Sequence, residues 1–123
     1  MARIWIFLGG VSGFIAVAAG AFGAHGLKGK LAPNLFENFE TGAQYQIYHA
    51  LGMVLAGHVA ARGSKAASFA GGAFFFGTLL FSGSLYAFAL SGQRWLGAVT
   101  PFGGAAFLAG WLALAVGGLK RSD

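Results

Sequence analysis

Cysteine is absent from the sequence, and charged residues are scarce. Without a thiol the chain can form neither a disulfide framework nor a cysteine-based zinc or iron–sulfur site. Charged residues make up 9% of the chain and hydrophobic residues 57%, whereas soluble domains carry about 25% charged residues. Because so few charges cannot cover a water-facing surface, the composition predicts a single integral membrane domain over residues 1–123.

Acidic residues are the scarcest charged type. The chain has three Asp and Glu residues and eight Lys and Arg residues, which gives a net charge of +5. The basic residues are scattered over the gaps between apolar runs and do not cluster. This pattern is typical of membrane topology and not of a nucleic-acid-binding patch. We therefore expect membrane lipids as partners and no nucleic acid.

Four apolar runs predict four membrane spans, at about residues 4–24, 41–61, 66–90 and 98–119. About 20 apolar residues in an α-helix cross the hydrocarbon core of a bilayer. The expected fold is an all-α membrane protein, an antiparallel four-helix transmembrane bundle. A cleaved signal peptide is the alternative for the first run, which exceeds the 7–15 apolar residues of such peptides.

Residues 25–40 form the longest polar interval and predict a short amphipathic helix at the membrane surface between the first and second spans. Pro33 suits the first turn of that helix. Its two faces are Leu31, Leu35, Phe36 and Phe39 on one side and Glu37 and Glu40 on the other. Thr41 and Gln44 resemble a capping box, so the second span is predicted to begin at Thr41. The alternative is that the surface helix continues into the span without a break.

Small residues recur at steps of three and four in the first and fourth spans. The two series are Gly9, Gly13, Ala16, Gly20 and Gly23, then Gly103, Ala106, Gly110, Ala113 and Gly117. Each series lies on one face of its helix, where small side chains let another helix approach closely in lipid. We expect both faces to be buried against protein, although the 22 glycines of the chain offer a simpler explanation.

Polar side chains concentrate at the start of the second span. The predicted intramembrane cluster is Gln44, Tyr45, Tyr48 and His49, with Tyr86 from the third span. Polar groups in hydrocarbon are costly unless they have partners, so these side chains should point into the bundle. Hydrogen bonds between helices, of about 1 kcal/mol each, are the favoured role. No nucleophile, base and carboxylate occur together in the spans, so we expect no enzyme activity.

Histidines provide the only weak candidates for cofactor binding. His25 ends the first span and His49 lies two turns into the second, both toward the same side of the membrane. Paired axial ligation of a haem is conceivable for such a pair, but a haem site needs a supporting shell that the sequence does not show. We expect neither a cofactor nor a metal.

Topology follows from the distribution of basic residues. Four spans place both termini on one side, together with Arg3, Arg62, Lys65, Lys120 and Arg121. The opposite side holds Lys28, Lys30 and Arg94. The excess of basic residues predicts that both termini are cytoplasmic.

Several segments resemble one family along nearly the whole chain. They are residues 19–27 (AGAFGAHGL), 39–41 (FET) with 45–51 (YQIYHAL), 81–86 (FSGSLY), 100–104 (TPFGG) and 110–111 (GW). The chain is thereby identified as similar to the small four-helix membrane proteins called domain of unknown function 423. That family includes bacterial YgdD-like and YwdK-like proteins and mitochondrial transmembrane protein 256-like proteins. The resemblance implies a multi-pass protein of the bacterial inner membrane.

The expected function is that of a non-catalytic accessory, linker or assembly subunit. Such a subunit would pack laterally against a larger complex, and the family's occurrence in bacteria and mitochondria favours a respiratory complex or supercomplex. A small transporter or channel for an ion or small solute is the alternative. Binding of haem or another small ligand is a weaker alternative.

Overall fold

The computed structural model describes residues 3–119, and this part of the chain contains helices and no strand. The four α-helices are α1 (Arg3–Phe22), α2 (Pro33–Ala60), α3 (Lys65–Ser91) and α4 (Thr100–Leu119). A π-helical turn at Gly23–Leu27 follows α1, and a 3₁₀ turn at Arg94–Ala98 precedes α4. The ends of α1, α3 and α4 lie within a few residues of the predicted runs, whereas α2 begins eight residues before the predicted run at 41–61.

Three segments are long and apolar enough to cross a membrane: Arg3–Leu27, Lys65–Ser91 and Arg94–Leu119. They contain α1, α3 and α4. Helix α2 has 28 residues, which is also sufficient length, but it is not among the three. The polar side chains in its first half lower its mean hydropathy, so composition alone does not identify α2 as a span.

Helix α2 is continuous from Pro33 to Ala60. The prediction that a helix begins at Thr41 is therefore wrong. Residues 33–40 are the first turns of α2, as in the alternative of a helix that continues past Thr41 without a break. Pro33 does occupy the first turn, as expected. No proline follows it inside α2, so every later backbone N–H can continue the helix.

The ends of α3 have clear local causes. The Ser64 hydroxyl accepts a hydrogen bond from the Ala67 N–H at 3.0 Å, which satisfies one free donor of the first turn. At the other end Gly92 adopts a left-handed conformation with φ of 73° and donates its N–H to the Phe88 carbonyl. Glycine suits that position because it carries no Cβ.

The small-residue face of α1 lies mostly on α2. A Cβ added to Gly9 would meet the Ala50 carbonyl oxygen at 2.8 Å, and one added to Gly23 would meet the Phe39 ring at 3.0 Å. Ala16 is buried and Gly13 is close to Ala50. Gly20 is the exception: it is exposed, and an added Cβ would meet no atom within 4 Å.

The small-residue face of α4 lies on α3. An added Cβ would meet the Phe74 ring at 2.6 Å from Gly110 and the Ser64 hydroxyl at 2.7 Å from Gly117. Gly103 is packed even more closely, against the backbone of Phe81. Ala106 and Ala113, on the same face, are half-buried. Close helix approach is therefore possible only because these positions lack large side chains.

The helices pack in chain order, α1 on α2, α2 on α3 and α3 on α4. Within the described residues α1 and α4 do not touch each other. The apolar core lies where α2, α3 and α4 meet, around Met53, Phe74 and Phe107. Apart from Gly20, both small-residue faces are thus packed against other helices of the chain.

Candidate functional site

The polar residues of α2 serve two separate sites. Gln46 faces Ser12 of α1 and Tyr86 of α3, whereas His49 faces Trp111 of α4. Because these contacts lie on different sides of α2, the predicted cluster does not converge on a single site.

Gln46 connects three helices. Its side chain is only 6% exposed, and its amide nitrogen donates to the Ser12 carbonyl and hydroxyl oxygens at 3.2 and 3.1 Å. The Tyr86 hydroxyl donates to the Gln46 amide oxygen at 2.6 Å. In hydrocarbon these bonds remove the cost of leaving an amide and a phenol unpaired. The Gln46 network, defined by Ser12, Gln46 and Tyr86, therefore holds α1, α2 and α3 together.

Two serines of α3 form further bonds to neighbouring helices. The Ser82 hydroxyl donates to the Gly42 carbonyl of α2 at 2.7 Å. The Ser84 and Thr100 hydroxyls lie 2.5 Å apart and join α3 to α4. Gly42 also leaves space for Tyr86, whose ring an added Cβ would meet at 2.9 Å. Short polar side chains thus connect the helices where they approach most closely.

His49 uses both ring nitrogens. Trp111 donates its indole N–H to Nε2 of His49 at 3.0 Å, so Nε2 carries no hydrogen. Nδ1 must then hold the proton and donate to the Tyr45 carbonyl, which lies 2.7 Å away. The ring also stacks on Phe107 with the centroids 3.5 Å apart. The geometry assigns a neutral imidazole that has no free nitrogen for a metal or haem.

His25 lies far from His49. It is exposed in the π-helical turn after α1, where the neighbouring Gly23 packs on Phe39. His49 is ten residues beyond Phe39 on α2, which corresponds to roughly 15 Å along the helix axis. The two histidines therefore cannot ligate one haem. Residues 3–119 contain no group of three or more side chains suited to hold a metal.

The remaining polar residues of the predicted cluster lie at the protein surface. Tyr45 is 38% exposed and Tyr48 is 45% exposed. Gln44 is also exposed, and its amide nitrogen donates to the Tyr48 hydroxyl at 2.7 Å. Tyr45 packs on Phe81 of α3 with the ring centroids 4.7 Å apart. These tyrosines form the edge of an opening and do not point into the bundle.

That opening is a cavity of about 380 Å³ between α2 and α4, here called the aromatic groove. Its lining residues are Tyr45, Tyr48, His49, Phe81, Gly104, Phe107, Leu108 and Trp111. Except for the phenol hydroxyls and the imidazole, the walls are apolar. A volume of roughly 300–1,000 Å³ is typical of small-ligand sites.

A second cavity, of about 130 Å³, lies between α1 and α3 beside the Gln46 network. Ser12, Gln46 and Thr78 contribute its polar lining. The Thr78 hydroxyl is buried and has no hydrogen-bond partner within the described part of the chain. A buried hydroxyl without a partner is costly, and Thr78 is the one such group among the described residues.

The cluster predicted from the sequence did not include Gln46, although Gln46 lies between Tyr45 and Tyr48 in the same polar stretch. It also missed Ser12 and Trp111. A signal for Ser12 existed, because it is the one hydroxyl side chain in the apolar run of residues 4–24. Trp111 gave no such signal, because a tryptophan in an apolar helix is expected to face lipid or protein equally well.

Comparison with known proteins gives consistent matches. The family model described as "Protein of unknown function (DUF423)" matches residues 19–104. A UPF0382 membrane protein of Staphylococcus epidermidis is 45% identical, with 96% of this chain and 97% of the relative aligned. YwdK of Bacillus subtilis, also named a UPF0382 membrane protein, is 41% identical over 96% and 98% of the two chains. One from Haemophilus influenzae is 39% identical over 100% and 99%. No solved structure matches the chain.

Proposed function

The chain belongs to the DUF423 family of membrane proteins, and from this premise we propose that it is a non-catalytic accessory subunit. All four helices would cross the bacterial inner membrane as an antiparallel bundle. The bundle would bind laterally to a larger membrane complex, with a respiratory complex or supercomplex as the candidate that the family's occurrence favours.

Hydrogen bonds made by the polar side chains of α2 support the proposal that α2 crosses the membrane together with α1, α3 and α4. Gln46 and His49 are buried and hydrogen-bonded to neighbouring helices, so their burial in hydrocarbon is compensated. The contacts between α1 and α2 run in opposite order, from Gly9 beside Ala50 to Gly23 beside Phe39. This order supports an antiparallel arrangement.

The proposed orientation of the chain in the membrane depends on the basic residues at the two membrane faces. Arg62 and Lys65 are exposed at the α2–α3 connection, and Lys28, Lys30 and Arg94 are exposed at the opposite end. The excess on the first side comes from Lys120 and Arg121, which lie outside the described residues. With them counted, the positive-inside rule supports cytoplasmic termini.

The observation that carries the non-catalytic role is the use of the polar side chains within the bundle. Gln46, Tyr86 and Ser82 each bond to another helix, and His49 has both nitrogens occupied. Groups committed to structural hydrogen bonds are not free to bind and transform a substrate. The polar cluster therefore supports a rigid scaffold better than a reaction centre.

Lateral binding would use the outer faces of α1 and α4. These helices lie at the two ends of the packing order, and large apolar side chains such as Phe14, Phe102 and Leu112 are exposed on them. The small-residue faces, which the sequence predicted to be buried against protein, are packed within the chain except at Gly20. The outer apolar faces remain available to lipid and to a partner.

Gentle detergent extraction from native membranes, followed by native gel separation and identification of co-migrating proteins, tests the proposal. Gly10→Leu, Gly83→Leu and Gly118→Leu each enlarge one outer face of α1, α3 or α4. An added Cβ at each position would meet no atom within 4 Å, so the fold should be retained.

We expect co-migration with a larger complex that one of these variants weakens while the others leave it intact. Gly110→Leu is unsuitable for this purpose, because Gly110 packs on Phe74 and its replacement would disturb the bundle itself. A chain that migrates alone, or only as its own oligomer, would contradict the accessory role.

Solute passage is the second candidate, and the cavity beside Thr78 favours it. The cavity places an unpaired hydroxyl next to the Gln46 network in the interior of the bundle. Transport requires a hydrated path through the membrane. Flux into proteoliposomes above that of empty vesicles, reduced by Thr78→Val, would support this candidate. Equal flux across several ions and small solutes would eliminate it.

A further inference from the structure

The aromatic groove combines flat apolar walls with two hydroxyl groups at its edge. Trp111 of α4 and Tyr45 and Tyr48 of α2 supply partly exposed ring surfaces, whereas Phe107 is buried with its ring stacked on His49. His49 adds no charge, because its two nitrogens are already paired. Flat aromatic walls favour a planar ligand, since ring pairs gain energy from offset or edge contacts.

Both phenols have hydrogen-bonding capacity to spare. The Tyr48 hydroxyl accepts from Gln44 at 2.7 Å, so its own hydrogen is free to donate. The Tyr45 hydroxyl forms no hydrogen bond with residues 3–119. In a bilayer, where water is scarce, a free phenol hydrogen gains most from an acceptor on the ligand. The groove therefore offers hydrogen-bond donors that suit a ligand with carbonyl acceptors.

The groove lies in the middle of the helices and not at their ends. Trp111 is near the centre of α4, and Phe81 is more than halfway along α3. Leu108 at the groove is 75% exposed, so the opening faces the surroundings of the bundle sideways. A ligand would therefore reach it from the hydrocarbon phase and must be soluble there.

We infer that the aromatic groove binds a planar, neutral, membrane-soluble molecule that carries carbonyl acceptors, the chemistry of a quinone ring. The ring lies between Trp111 on one side and the two tyrosines on the other. The tyrosine hydroxyls donate to its carbonyl oxygens. Binding needs no metal and no charge, and it is independent of the proposed accessory role.

Isothermal titration calorimetry tests this inference on the full chain in lipid nanodiscs, with empty discs as the baseline. The probe is 2-methyl-1,4-naphthoquinone, and naphthalene is the matched probe without carbonyls. We expect saturable binding of the quinone at one site per chain, and naphthalene binding weaker by about tenfold, which is the effect of one or two hydrogen bonds. The double variant Tyr45→Phe with Tyr48→Phe should reduce quinone affinity to the naphthalene level.

Two variants fill the groove in different ways. Gly104→Leu places a side chain inside it, where an added Cβ makes only ordinary contact with Phe81 at 3.9 Å. Leu108→Trp covers it from an exposed position and leaves the core untouched. Gly118→Leu, on open surface of the same helix, is the control. We expect at least tenfold weaker binding in both filled variants and unchanged binding in the control.

Three results would overturn the inference. The first is heat that never saturates and equals that of empty discs. The second is equal affinity for naphthalene and the quinone, which would identify a site for acyl chains alone. The third is binding that survives both Gly104→Leu and Leu108→Trp in folded protein.

Discussion

Gln46 shows how a polar side chain can stabilise a membrane bundle at the scale of one residue. An isolated amide in hydrocarbon would cost several kcal/mol, but Gln46 donates to Ser12 and accepts from Tyr86. His49 is similarly satisfied by Trp111 and the Tyr45 carbonyl. In each case the stabilisation depends on both members of the hydrogen-bonded pair, because removal of one partner leaves the other unpaired.

Gln46→Leu should reduce the free energy of unfolding by about 1–2 kcal/mol, because it leaves the Tyr86 hydroxyl buried without an acceptor. Gln44→Leu, on the same helix but exposed, should cost less than about 0.5 kcal/mol. Equilibrium unfolding in mixed micelles measures both. Adding Tyr86→Phe to Gln46→Leu should cost less than the sum of the single changes. Equal costs for Gln46→Leu and Gln44→Leu would contradict this role.

Haem binding gives a second prediction at this scale. Titration of the purified protein with haemin should produce no shift of the Soret band beyond that in empty micelles. The reason is that His49 has no free ring nitrogen. His25 is in the turn that packs near Phe39, and Phe39 is separated from His49 by ten residues of α2, roughly 15 Å along the helix axis. His49→Ala should leave the spectrum unchanged. A Soret shift that is lost in His49→Ala would contradict the assignment of both His49 nitrogens to hydrogen bonds within the protein.

At the scale of the element, glycine determines how closely neighbouring helices approach. Gly77 and Gly103 face each other between α3 and α4, and an added Cβ at Gly103 would lie 2.8 Å from the Gly77 carbonyl oxygen. The apolar attraction between helices is weak in lipid, so dispersion between closely packed surfaces is what holds them. A glycine on an outer face, such as Gly118, does not determine how closely two helices approach.

Gly103→Ala should therefore destabilise the protein by about 1–3 kcal/mol, the usual range for overpacking a tight contact. Gly118→Ala should be neutral or stabilising by up to about 1 kcal/mol, since alanine has the higher helix propensity and open space is available. Thermal unfolding in one detergent compares the two. Similar effects of both substitutions would mean that α3 and α4 do not pack through Gly103.

At the scale of the whole molecule, the central question is whether α2 crosses the membrane. Its length of 28 residues permits crossing, and its buried polar side chains have partners on α1, α3 and α4. With four spans both termini share one side. With three spans and α2 on the surface, the connections at Lys30 and Arg62 would share a side.

The absence of cysteine makes topology directly measurable. Single variants Lys30→Cys, Arg62→Cys and Gln93→Cys each place one thiol at an exposed position. In intact spheroplasts a membrane-impermeant maleimide should label Lys30→Cys and Gln93→Cys but label Arg62→Cys only after lysis. Equal labelling of Lys30→Cys and Arg62→Cys before lysis would exclude α2 as a span.

The candidate site was only partly predictable. The polar stretch around His49 was recognisable because it interrupts an apolar run, which is a local property of the sequence. The division of that stretch between two sites was not, because it depends on which helix lies on each side of α2. The same holds for Trp111, which is separated from His49 by 62 positions and bonds to it only in the folded chain.

The amino-acid sequence was sufficient to predict four helices and the approximate ends of α1, α3 and α4, because backbone groups in hydrocarbon must be satisfied within each segment. It also determined which faces of α1 and α4 can pack closely, through the spacing of their small residues. Three features could be seen only in the folded chain: α2 runs unbroken through Thr41, α1 and α4 stay apart, and a groove opens beside Tyr45 and Trp111. These features depend on which helices are neighbours and on how closely they approach. Packing between segments that are distant in the sequence determines both, and local composition does not.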